Sequence, residues 1–246
     1  DGEHTAILGP NGSGKSSLIR LITRQYYPLA RSDGPPVQIY GRERWGVAEL
    51  RTLLGVVSPD AHQLALGGMT HGRATGNDVV LSGFFASTAL FAHHHVTDAM
   101  RQRTSEMLDL VEATYLAGKP IAAMSTGEVR RIFIARALVP DPRALLLDEP
   151  TAGLDLLAMH RFLATIRRVA QHGKTIILVT HHVEEIIPEI GRVILLKEGH
   201  VFCDGPKAEV LTGPTLSALY DAPIDVRAGE YYQAGVDEKY KWVGRE

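Results

Sequence analysis

Strands alternating with helices, a glycine-rich loop between the first strand and first helix, and an apolar run ending in two acids predict an α/β fold. The sheet is expected to be mainly parallel, with a helical subdomain and a small antiparallel β part. His4 to Leu8 reads as the opening strand, and Leu18, Leu21 and Ile22 put Ser16 to Arg24 at helical spacing. Pro28 to Pro36 reads as a loop, Val37 to Gly41 as a strand ending in a turn, and Leu53 to Val57 as a short buried strand. From Asp60 to Arg73 no period is present, so this stretch reads as loop.

Two helical stretches follow, Asn77 to about Leu90 and Val96 to about Ala113, with Met100, Met107, Leu108 and Val111 on one side of the second. A helix is expected over Val129 to Leu138, and Arg143 to Asp148 has the unbroken apolar run of a strand buried on both faces. Asp155 to His172 repeats Leu156, Met159, Leu163, Ile166 and Val169 at threes and fours, with Gly173 placed to end the helix. Thr175 to Thr180 is a second buried strand, and Val193 to Leu196 with His200 to Cys203 reads as a hairpin. The expected division is an α/β core over 1–65 and 129–222, a helical block over 66–128, and a tail without period over 223–246.

Composition narrows the function classes. Of 246 residues, 45% are hydrophobic and 22% charged, which is globular rather than disordered usage. Lys and Arg number 26 against 28 Asp and Glu, a net charge of −2, so no bulk basic field exists to hold nucleic acid. The single cysteine, Cys203, closes no internal disulfide and fits a reducing compartment. No apolar stretch approaches the roughly 18 residues of a membrane span. The chain starts at Asp1, almost directly on a strand, and further strands are expected upstream.

Gly9-Pro10-Asn11-Gly12-Ser13-Gly14-Lys15-Ser16 matches the phosphate-loop pattern in its required setting, after a strand and before a helix. Glycines let backbone N–H groups turn onto an anion, and the helix N-terminus adds its positive end. Lys15 is expected to reach the β- and γ-phosphates and Ser16 to ligate Mg²⁺. Leu145-Leu146-Leu147-Asp148-Glu149 ends a buried strand in two acids, of which the first suits Mg²⁺ and the second the polarisation of an attacking water.

The run Leu147-Asp148-Glu149-Pro150-Thr151-Ala152-Gly153-Leu154-Asp155 resembles the Walker B and D-loop segment of the ABC ATPases. Met124-Ser125-Thr126-Gly127-Glu128 resembles their signature motif, and Ile177-Leu178-Val179-Thr180-His181 their switch-histidine strand. The motifs fall in that family's order, and the resemblance covers residues 1 to about 220. It implies an ABC-type P-loop NTPase core and a Mg²⁺-dependent ATPase, with ATP held by the loop from Gly9 through Ser17. Lys15, Glu149 and His181 take the catalytic roles: phosphate contact, general base and γ-phosphate sensor.

The resemblance also implies a homodimer or heterodimer with two ATP molecules at its interface. Ser125, Thr126, Gly127 and Glu128 then serve the partner's ATP, and Asp155 crosses toward the partner. A separate transmembrane permease is the implied second partner, which places the chain in the cytoplasm on the inner face of the membrane. The alternative is a soluble ATPase acting on ribosomes or nucleic acid, against which net charge and the single motif set argue. Two departures stand out. Thr126 and Glu128 replace the usual glycine and glutamine of the signature, and Pro59 stands where a metal-contacting glutamine belongs, leaving Gln63 or Asp60 to substitute.

Weaker features take plainer readings. His93-His94-His95 reads as a solvated junction, and His182 is expected to face away from His181 because strand neighbours alternate. Arg130, Arg131 and Arg136 are expected to form helix-surface pairs. Val79 to Phe85 is either core or an apolar docking patch for the permease.

Overall fold

The computed structural model describes residues 2–29, 37–58, 74–87, 89–229 and 231–236. Strands β1 (Thr5–Leu8), β2 (Leu54–Val57), β3 (Ala144–Asp148), β4 (Thr175–Thr180), β5 (Arg192–Lys197) and β6 (His200–Pro206) form one sheet in the order β2-β3-β4-β1-β5-β6. The first five are mutually parallel, and β6 pairs antiparallel with β5. Helices are α1 (Lys15–Ile22), α2 (Val47–Leu53), α3 (Gly76–Ser82), α4 (Asp98–Leu110), α5 (Thr126–Leu138), α6 (Leu156–Gln171), α7 (Lys207–Val210) and α8 (Gly213–Tyr220).

The pleat sorts the core into two layers. Successive strand residues point to opposite faces, so Leu8, Leu145, Leu147, Ile176 and Leu178 pack with α5 and α6 through Ile132, Phe162 and Ile166. Ile7, Leu146 and Val179 turn to the other face, against Ile19 of α1 and Leu50 of α2. Leu145, Leu146 and Leu147 are all fully buried, which is why β3 carries no polar residue until Asp148. The same double cover presents the ends of β1, β3 and β4 along one edge, where an open parallel sheet takes its ligand.

Several elements differ from the sequence reading. No strand forms over Val37–Gly41. Instead Ile39 and Arg42 exchange two backbone hydrogen bonds of 3.0 Å around Tyr40 and Gly41, whose φ values of 50° and 74° make a tight reversal. Helix α3 stops at Ser82, and a single 3₁₀ turn over Gly83–Phe85 ends at Ala86, where φ is 48°. Helix α5 begins three residues earlier than expected, because Ser125 caps it. Leu156, expected on the apolar face of α6, is 69% exposed, as the first turn of that helix leaves Leu157 exposed too.

Beyond Pro223 the chain forms a hairpin, β7 (Ile224–Arg227) with β8 (Gln233–Val236), where a tail without period was expected. Ile224, Val226, Tyr231 and Tyr232 from this segment pack on the core, so its tyrosines act as apolar cover despite the polar composition around them. Val79, Val80 and Leu81 are buried within the helical block. Those three side chains are core, while Phe84 is half-buried against it and Phe85 half-buried against His94.

Candidate active site

Three strand exits meet at one edge of the sheet. The loop after β1 carries Gly9 to Gly14, the turn after β3 carries Asp148 and Glu149, and β4, between them, delivers His181. Neighbouring strands lie about 5 Å apart, so adjacency in the sheet alone puts these groups within reach of one another.

The β1 loop is shaped by close approach and by left-handed backbone. A Cβ on Gly9 would lie 2.4 Å from the Leu196 carbonyl oxygen and 2.6 Å from Ser13 Oγ. Gly14, the N-cap of α1, has φ of 100°, a conformation costly to any side chain. The turn between β5 and β6 supports the loop from behind, with Gly199 N–H donating to the Ser13 carbonyl at 3.0 Å.

Lys15 is buried, and its ammonium donates to the Gly9 and Pro10 carbonyls at 2.7 and 3.0 Å. Burial pushes its pKa down from 10.5, while the nearby Glu149 and Asp148 carboxylates act in the opposite direction. Ser13 Oγ is buried without a hydrogen-bond partner. A loop closed to a Cβ at Gly9, a cation and an unpartnered hydroxyl form a donor set suited to a phosphate group.

Glu149 stands at φ 43°, outside ordinary strand geometry, and its N–H donates to the Val179 carbonyl at 2.8 Å. That turn brings its Oε1 to 3.2 Å from His181 Nδ1. Tyr220 from α8 donates its hydroxyl to the His181 carbonyl at 3.3 Å, and burial pushes this phenol up to about 12. A cleft lined by Val57, Ser58, Arg130, Phe133, Asp148, Glu149 and Pro150 opens beside the pair.

His182 departs from the alternation argument. Strand β4 ends at Thr180, so residues 181 and 182 follow loop geometry, and their rings lie 3.9 Å apart.

Ser125 lies at the N-terminus of α5 in a reciprocal capping box. Its hydroxyl accepts from Glu128 N–H at 3.3 Å, and Glu128 Oε2 accepts from Ser125 N–H at 2.7 Å. Thr126, Gly127 and Glu128 are therefore the first helical turn rather than a loop ahead of it. Lys119 adds a 2.8 Å ion pair to Glu128. Asp155 caps α6 by accepting from Ala158 N–H at 2.7 Å. Gln63, Pro59 and Asp60 lie outside the described residues.

Some contacts were not readable from spacing. Arg130 donates to the carbonyls of Pro150 and Ala152, Arg131 to the Glu112 carbonyl at 3.0 Å, and Arg136 to the Ser87 carbonyl at 2.6 Å. Among the described residues the cluster clamps loop carbonyls instead of forming surface ion pairs. His93 and His94 stack on Phe91 and Phe85 with ring centroids 5.6 and 4.1 Å apart. For Glu185 the sequence carries one signal, an acid preceding the apolar pair Ile186-Ile187.

Comparison with known proteins gives a consistent picture. Residues 1–152 match the family model described as ABC transporter. A putative ABC transporter ATP-binding protein of Streptococcus mutans is 33% identical over 92% of this chain and 84% of its own length. The structure of cbiO1 from Clostridium perfringens, part of the ABC transporter complex cbiONQ, superposes with a TM-score of 0.67 at 30% identity, over 88% of this chain and 82% of that one. The dimeric structure of MJ0796, a bacterial ABC transporter cassette, has a TM-score of 0.63 at 25% identity, over 84% of this chain and 86% of that one.

Proposed function

The chain belongs to the ABC transporter ATP-binding family, and on that premise we propose that it hydrolyses ATP to drive transport through a separate membrane subunit. The carrying observation is the 3.2 Å contact between Glu149 and His181 at the strand edge shared with Lys15. Closure is by an ATP-dependent dimer, a reading supported by the dimeric MJ0796 cassette. No helix among the described residues is long and apolar enough to cross a membrane. The permease is read as a separate chain, with this one peripheral on the inner, cytoplasmic face. The cbiONQ assembly of its relative supports that reading.

In this mechanism the backbone of Gly9 to Ser17 receives the phosphates, and Lys15 exchanges its two loop carbonyls for phosphate oxygens. Ser16 and Asp148 are the residues to hold Mg²⁺, which supplies charge neutralisation on the phosphates when bound. Glu149 accepts the proton of the attacking water. His181 orients the Glu149 carboxylate through Nδ1 and turns its other nitrogen to the γ-phosphate. Ser125, Thr126, Gly127 and Glu128 of one subunit face the nucleotide held by the other, with Asp155 beside that contact. Net charge of −2 supports a function without nucleic acid.

Glu149→Gln tests this directly. Loss of the base should cut turnover by about 100-fold or more while leaving ATP binding intact. The variant should run as a dimer in gel filtration with ATP and as a monomer without it. A variant that stays monomeric in ATP, or that turns over at the wild-type rate, removes the mechanism.

A further inference from the structure

Among the described residues Glu185 is the only acid in the buried set, 2% exposed. A carboxylate taken out of water is costly unless it is paired and hydrogen-bonded. Here both oxygens are engaged. Oε2 accepts from Thr180 Oγ1 at 2.6 Å, and Oε1 accepts from Thr151 Oγ1.

The two threonines occupy telling places. Thr180 directly precedes His181, and its Oγ1 also accepts from His182 N–H at 2.9 Å. Thr151 lies two residues after Glu149, in the turn whose Pro150 and Ala152 carbonyls are gripped by Arg130. Arg130 belongs to α5, the helix capped by Ser125, and the Glu185 carboxylate acts on its guanidinium through the field. One buried acid thus bridges the exits of β3 and β4, and Arg130 fastens the first of them to α5. Glu149 needs such a fixture, because φ of 43° is kept only when its surroundings impose it.

We propose that Glu185 is a positioning residue that holds the Glu149 turn against the His181 strand exit and, with Arg130, ties that turn to the helix carrying Ser125. The inference rests on the reading of Glu149 as base. Without the carboxylate, two buried hydroxyls lose their shared acceptor. The Glu149 and His181 exits then drift independently.

The test uses the full chain as wild type, Glu185→Gln, which keeps the side chain's shape, and Thr151→Val, which removes one of the two bonds. Steady-state ATP hydrolysis separates kcat from KM, and thermal unfolding is followed in parallel. Glu185→Gln should lower kcat by about tenfold or more with KM within about twofold, since sub-ångström misplacement acts on the chemical step. Thr151→Val should lower kcat by a smaller factor in the same direction. Unchanged kcat in both variants, or a fall in unfolding midpoint with kcat per folded molecule preserved, overturns the proposal. A wild-type chain that does not hydrolyse ATP overturns the functional reading as well. An active wild type matched by Glu185→Gln overturns the positioning role alone.

Discussion

Two helix N-termini in this molecule are proposed to receive phosphate, and they are built in opposite ways. Helix α1 begins at Gly14, with no side-chain cap and no acid in its first turn, and a buried lysine stands beside it. Helix α5 begins at Ser125 inside a capping box, with Glu128 already bonded at the terminus and Lys119 paired to that acid. The first end leaves its positive pole for an external anion. The second carries an internal anion together with a countercharge, so any phosphate contact there competes with one carboxylate and is helped by one ammonium. Affinity is therefore expected to reside at α1, with α5 contributing the weaker, tunable half of the contact.

The largest effect should come from removing the cation at α1. Lys15→Ala deletes a charge-assisted contact of roughly 1.5–3 kcal/mol, which predicts an ATP dissociation constant raised about 10- to 150-fold by calorimetry. Unchanged affinity would take Lys15 out of the site and erase the contrast. Next in size is Gly9→Ala, whose Cβ meets the Leu196 carbonyl at 2.4 Å. Overpacking of this kind costs about 1–3 kcal/mol and should appear as a lowered unfolding midpoint with nucleotide binding also impaired. Gly127 faces only Ala158 Cβ at 3.6 Å, so Gly127→Ala should be far milder. If the two alanines behave alike, close approach is not what distinguishes the β1 loop.

The contrast also separates what a sequence displays from what it hides. Contiguous motifs on strongly patterned elements were legible: β4 matches its expected bounds, and β3 and α6 differ only at their ends, because burial on two faces and an Asp155 cap with Gly173 leave periodic marks. Helix α2 left no such mark, since Leu50 is its one buried residue. The β7–β8 hairpin is hard to read because β7 alternates over only four residues, Ile224 to Arg227, and Tyr231 and Tyr232, which complete its cover, lie outside its strands. At the site, the loop, the acid pair and His181 were visible as local strings. Lys119 against Glu128, Arg130 against Pro150, and Glu185 against Thr151 were not. These pairs stand 9, 20 and 34 residues apart; the packing of α5 brings Arg130 to Pro150, and the pairing of β3 with β4 brings Glu185 to Thr151.

The smallest effect concerns the internal anion of α5 itself. The Lys119 hydrogen bond is the main cause holding the Glu128 carboxyl below its ordinary 4.5, helped by Ser125 N–H and opposed by burial. A depressed folded pKa means that the charged cap contributes in full above 4.5 and loses its contribution as pH falls through the lowered value. An anion at a helix N-terminus contributes about 0.3–1 kcal/mol, or about 1–4 °C in a chain of this size. The unfolding midpoint of wild type minus that of Glu128→Gln should therefore be constant near neutrality and shrink in acid. Lys119→Met should move the onset of that shrinkage upward toward 4.5. It should also weaken the ATP-dependent dimer formed by Glu149→Gln, and adding Glu128→Gln should restore that dimer, since the uncompensated charge is then gone. If Lys119→Met costs the dimer equally with Glu128 or Gln at that position, the lysine acts by packing, and the two helix ends differ in capping but not in charge.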